Sequence, residues 1–162
     1  MKKSLYFALA LAIAITGYAI WPKGDSKETE NLEPVIVEGV DFSEELVLET
    51  VKYDKKTRVL SYELKNNSGE TLEYGFPFTL MKLQEDRTLK ETGLTDDLAF
   101  IMMLASVEPG KNVSDEIHFE LITRTIEPGR YYVMRQYAGK DGKVHIPEVS
   151  FQVTSDGIVP IN

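Results

Sequence analysis

The chain contains no cysteine, and that absence removes disulfides, cysteine-ligated zinc, haem attachment, iron–sulfur clusters and thiol chemistry together. It also removes an acylated-lipoprotein anchor, which needs a cysteine just after an apolar leader. Here that region reads TGYAIWPKGDSKE. Nucleophilic catalysis has no G-x-S-x-G elbow and no S-x-x-K box to work with, and no glycine-rich phosphate loop occurs. Calcium would need a loop of spaced carboxylates, whereas GKDGK, residues 139–143, supplies one. Tryptophan is nearly absent: Trp21 is the only one, and it lies in the N-terminal apolar segment. The two histidines, His118 and His145, are isolated from each other in sequence. No catalytic residue, cofactor or metal is expected.

Positive charge is also in short supply. The formal net charge is -8, and residues 23–162 hold 16 bases against 26 acids. Such a surface repels nucleic-acid phosphate and anionic lipid headgroups, so no nucleic acid is expected as a partner. An unknown protein partner of basic character remains compatible with it. Hydrophobic residues make up 43% of the chain, enough for one core, and charged residues 27%, ordinary for a soluble surface.

What is present begins with MKKSLYFALALAIAITGYAIWPKG: two lysines, then no charge from Leu5 to Trp21. Residues 1–22 are read as a signal peptide or a signal anchor. Seventeen helical residues reach about 25 Å, slightly less than a hydrocarbon core of roughly 30 Å. Gly17-Tyr18-Ala19 offers a small-x-small cleavage site. Retention is the preferred reading, because no strong A-x-A site ends the run and Tyr18 and Trp21 can anchor at the interface. The lysines put the N-terminus in the cytoplasm, so the rest is extracytoplasmic under both readings: membrane-anchored if the segment stays, secreted if it is cut.

PKGDSKETENLEP, Pro22 to Pro34, is polar and charged with only Leu32 apolar, and residues 23–42 read as a flexible linker. Short β-type segments between regular turn words follow, and residues 43–156 are assigned to an all-β domain, with 157–162 as a C-terminal tail. RVLSYELKNNSG alternates most cleanly, with Leu60, Tyr62 and Leu64 inward and a turn from Asn66 to Gly69. ELVLETVKY puts Val47, Val51 and Tyr53 on one face, and VSDEIHFEL does so for Val113, Ile117 and Phe119. EVSFQVT sends Val149, Phe151 and Val153 inward. Pro77 interrupts TLEYGFPFTLMKL and marks an edge strand or a bulge. GLTDDLAFIMML reads as a loop followed by a strand from Leu98 to Ser106. Seven or eight strands over roughly 110 residues without a long helix suit a Greek-key β-sandwich of immunoglobulin-like type.

The order LSYELKNNSGETLEYGFPFTLMK, then VEPGK, an alternating strand, and IEPGRYYVMR resembles the bacterial immunoglobulin-like domains found on exported proteins of Bacillus-like Gram-positives. The matching words are Leu64 to Ser68, Tyr74 to Lys82, Glu108 to Gly110 and Glu127 to Tyr132. The resemblance runs from Leu46 to Thr154. It departs where QEDRTLKE replaces an expected tryptophan and where Tyr132 stands in an arginine position. It implies a fold and no catalytic residues.

Among candidate sites, His118 shares a face with Glu116 and Glu120, a spacing that would permit a metal, but a solvent-facing histidine among charges is the simpler reading. His145 reads as a strand-start residue after the Asp141-Gly142 turn. The acid pairs Glu85-Asp86, Asp96-Asp97 and Asp115-Glu116 read as turn and surface residues, and NNS and NVS, which match the N-glycosylation word, read as turn chemistry. Both E-P-G words are expected to form type II turns. In RYYVMRQY the core face is expected to hold Tyr131, Val133 and Tyr137, leaving Arg130, Tyr132, Met134 and Gln136 as a protein-contact patch. The expected function is a non-enzymatic extracytoplasmic interaction or structural module, working by surface complementarity or by an edge strand that accepts another strand. The alternative is an accessory regulator, an inhibitor or sensor subunit of a cell-envelope enzyme or receptor.

Overall fold

In the computed structural model the described residues are 35–162. The N-terminal apolar segment, including Leu5 and Trp21, and the first part of the expected linker lie outside them. Twelve strands run in the order β1 (Leu46–Asp54), β2 (Val59–Asn66), β3 (Leu72–Gly75), β4 (Thr79–Leu83), β5 (Leu89–Glu91), β6 (Leu104–Val107), β7 (Asn112–His118), β8 (Gly129–Met134), β9 (Tyr137–Ala138), β10 (Val144–His145), β11 (Ser150–Thr154) and β12 (Gly157–Ile161). A single 3-10 turn, Phe119–Leu121, is the one helical element among the described residues, and no helix there is long and apolar enough to cross a membrane.

One layer is the antiparallel sheet β1-β2-β7. Facing it are a four-stranded sheet, β10-β9-β3-β6, and a five-stranded sheet, β12-β11-β8-β4-β5. These two meet end to end, because β3 with β9 and β4 with β8 form a single ribbon interrupted once. Tyr74 pairs with Tyr137 and Thr79 with Met134, so four residues, Gly75 to Phe78, oppose two, Arg135 and Gln136. Pro77 has no N–H for a ladder and sits in that gap. The interruption is therefore the bulge; β3 and β4 are both inner strands. Counting each broken strand twice, and adding short β5 and β10 and the unforeseen β12, raises the expected seven or eight to twelve.

The core lies between the layers. Leu60, Tyr62 and Leu64 of β2, Ile117 of β7, Tyr131 and Val133 of β8, and Val149, Phe151 and Val153 around β11 are buried as their alternation requires. Phe119 makes edge contacts with Tyr53 and Phe151, and Tyr131 stacks on Phe151 at 5.6 Å between centroids. In β1 the phase differs from expectation. The register slips between Leu48 and Thr50, so Leu46 is buried before the bulge and Val51 after it, while Val47 is turned outward. A one-residue slip exchanges the faces of a strand.

The turns explain two more sequence words. Lys111 N donates to Glu108 O at 3.1 Å with Gly110 at φ +72, so the first E-P-G is a type II turn. The second is not. Gly129 has φ +146 and already begins β8, and the Tyr131 hydroxyl donates to Glu127 O at 2.9 Å instead. That back-bond from the start of a strand is the tyrosine corner of Ig-type sandwiches. Asn66 is buried. Its Nδ2 donates to Glu70 O and Val107 O while its Oδ1 accepts from Ser68 N, joining the β2–β3 turn to the end of β6. Turn chemistry thus accounts for NNS.

Candidate functional site

The expected contact face on β8 is not presented as a whole. Tyr132 is fully buried and Arg130 nearly so. Strand β8 lies between β4 and β11, and the face opposite the core is covered from the N-terminal side: Phe42 stacks on Tyr132 at 5.6 Å and an interplanar angle of 21°. The Arg130 guanidinium lies 5.4 Å over the same ring, with Nη2 3.5 Å from Ser150 Oγ. The approach of the chain that supplies Phe42 was expected to be linker. It packs instead, with Glu38 N donating to Arg87 O at 2.9 Å and Glu38 bridging to Thr88. Residues 157–162, expected as a tail, are likewise part of the fold: β12 pairs with β11 along its length and buries Ile158 and Ile161. Of the four residues expected in the patch, half-buried Met134 and exposed Gln136 line an open groove beside the β3–β4 interruption.

The same interruption holds a charge pair of buried Arg135 and half-buried Asp115. Asp115 was grouped with surface acids, yet it shares the inward phase of Val113 and Ile117 on β7 and pairs with Arg135. The Tyr62 hydroxyl donates to Asp115 Oδ2 at 2.9 Å, and Arg135 Nη2 donates to Phe76 O at 2.7 Å. Arg135 thus satisfies a carbonyl that the broken ladder leaves without an N–H, and its guanidinium lies 5.6 Å from the Phe78 ring. Burial pushes the Tyr62 hydroxyl far above its ordinary range, so it serves here as a neutral donor. In sequence the only signal of this pair was the inward register of both residues.

His118 carries no vacant ligand set. Its Nδ1 is 2.7 Å from Glu120 Oε1 and its Nε2 is 3.3 Å from Glu116 Oε2, both at the surface. The bond to Glu120, helped by the charges of Glu120 and Glu116, holds its pKa above the ordinary value. Among the described residues no group of three or more histidines and acids is arranged to hold a metal. His145 is buried, with Nδ1 2.9 Å from Ser43 Oγ.

The largest departure from expectation lies between Leu98 and Val107. These ten residues carry no charge, and a strand was expected across most of them. The strand begins only at Leu104. Arg124 clamps the preceding loop, donating to Gly93 O at 2.8 Å and pairing with Asp97 at 3.2 Å. Phe100 then packs edge-on against Phe78 at 5.4 Å between centroids. Between that anchor and β6 the chain stands clear of the core, leaving Ile101, Met102, Met103 and Leu104 exposed at 68, 90, 59 and 72%. Beside them is a groove of about 420 Å³ floored by Phe76, Phe78 and Phe100 and edged by Asp97, Glu116 and exposed Leu121. The groove that Met134 and Gln136 line, about 600 Å³, includes Leu104 and shares Phe78 and Arg135 with the first. Alternation in Phe100, Met102 and Leu104 suggested a half-buried strand; nothing in it revealed that no layer lies opposite.

A search of curated proteins found no match. The sequence profile described as the bacterial Ig-like domain matches residues 41–153. That span includes the tyrosine corner, both layers and the interrupted ribbon, and domains of this kind are generally non-catalytic and usually extracellular. With well over half of its length matched, the chain belongs to the bacterial Ig-like domain family.

Proposed function

We propose that the chain is a non-enzymatic, extracytoplasmic interaction module, tethered through its N-terminal segment, that holds a protein partner on the apolar surface from Ile101 to Leu104 and the adjoining aromatic groove. The observation that carries this reading is the run of four consecutive large apolar side chains, each more than half exposed, whereas the other strands expose such residues only singly, as at Val47, Val144 and Val159. Burying each would contribute about 1.5–3 kcal/mol, which the isolated chain forgoes. An exposed apolar patch of this kind, beside polar residues, marks an interaction site. The acidic balance of the chain supports a second form of the same reading, an accessory regulator docking on a basic cell-envelope protein.

The test is photocrosslinking of the full chain on intact cells, with a photoreactive residue at Met103 or, as control, at Lys55 in the exposed β1–β2 turn. A discrete product from position 103 alone, lost when Ile101→Lys/Met102→Lys is added to the same chain, is expected. Equal labelling from both positions, or labelling unaffected by the variant, overturns the reading. Loss of the product at high salt favours the regulator form, because charge-steered docking is screened.

A further inference from the structure

We propose that β6 is a docking edge that accepts, as an added strand, an extended segment of a partner protein bearing lysine or arginine among apolar residues. This rests on the interaction reading above and names where and what the module binds.

Among the described residues strand β6 ends its sheet, with β3 on one side and no strand on the other. Its sequence, Leu-Ala-Ser-Val, lacks the features that keep open edges from pairing with other chains, namely charges, proline or a bulge. The other edge strands of three or more residues among the described ones all carry one. Lys90 stands on β5, Pro160 on β12, Glu116 on β7, and β1 has Lys52 and a bulge. An unguarded edge entered from four exposed apolar residues presents what strand addition uses: backbone groups on its outer side, of which Val107 O is taken by Asn66 Nδ2, and pockets for alternate side chains.

Charge selects the occupant. Exposed Glu73 pairs across the ladder with Ser106, while Asp97 and Glu116 edge the aromatic groove. Arg135, among the described residues the only lysine or arginine lining either groove, is committed to half-buried Asp115. Asp97 and Glu116 do have exposed partners, Arg124 at 3.2 Å and His118 at 3.3 Å, but exposed pairs of this kind hold weakly. The faces of Phe76 and Phe100 add an attraction for a guanidinium or ammonium that no anion would share. A second copy of the chain would bring the same acids and a net charge of -8 against themselves.

The experiment measures amide hydrogen exchange at Leu104 to Val107 in the full chain with two synthetic probes, acetyl-Lys-Val-Lys-Leu-Lys-Val-amide and the same peptide with glutamate in place of lysine. Only the lysine peptide is expected to slow these amides, by about ten-fold or more, as new ladder bonds form. The Ser106→Lys variant, which sets a charge on the edge, is expected to lose that protection with an unchanged thermal midpoint. Three results overturn the inference: protection confined to the groove residues, equal protection by both peptides, or wild-type self-association that Ser106→Lys abolishes. Each leaves the crosslinking test at Met103 free to succeed or fail by itself.

Discussion

Asp115 and Arg135 are the residues on which the break in the main ribbon depends. A buried charge left without its partner costs about 3–5 kcal/mol, so Asp115→Ala is expected to destabilise the chain by that much in urea unfolding. The Asp115→Leu/Arg135→Met double variant is expected to recover only part of the loss: apolar side chains avoid the desolvation cost of the pair, but the Tyr62 hydroxyl and Phe76 O are left without their partners. His118 gives the residue-scale pH dependence. Glu120 first, then Glu116, raises its folded pKa above the unfolded value near 6.5, so their stabilisation is complete below that value and is lost as pH climbs through the folded pKa. The imidazole resonance should titrate above 6.5, and Glu120→Gln should bring the midpoint back toward it. The stability difference between that variant and wild type should be present near about pH 5.5 and gone by about pH 9. At this scale the inward phase of Asp115 was legible in the alternation of β7. Its partner was not, because Arg135 lies twenty residues on and meets it only across the sandwich.

Strands β2, β7 and β11 could be read from sequence because each rests one face on the core, and a period of two records that directly. Elements whose surroundings come from distant chain could not. Strand β12 is short and contains Pro160, so it reads as a tail until β11 supplies the ladder. Its Ile158 and Ile161 are buried, and burial of such side chains contributes about 1.5–3 kcal/mol each. Deleting residues 157–162 is therefore expected to cost about 3 kcal/mol or more in urea unfolding and, by opening the edge of β11, to promote self-association visible by light scattering. The bulge in β1 belongs to the same class. Leu46, Val47 and Leu48 are all apolar, and pairing with β2, not pattern, decides which of them face the core.

For the whole molecule, an acidic surface and one uncharged, exposed segment sit in opposition: the charge keeps copies apart while Ile101 to Leu104 would bring apolar surfaces together. The Met102→Lys/Met103→Lys variant is expected to self-associate less by light scattering, with a thermal midpoint near that of wild type, because exposed substitutions ordinarily shift stability by no more than about 0.5 kcal/mol. Composition and alternation sufficed for the β class, the absence of thiol chemistry, and the inward residues of the regular strands, since these depend on residue type and local period alone. The words around IEPGRYY and YGFPF already carried the family resemblance. Tertiary structure decided the rest: that Tyr132 is covered by Phe42 and Arg130, that Arg135 closes a broken ladder with Asp115, and that Ile101 to Leu104 stand exposed. Whether an apolar side chain is core or contact surface depends on what distant chain comes to lie over it, and a residue's neighbours in sequence do not record that.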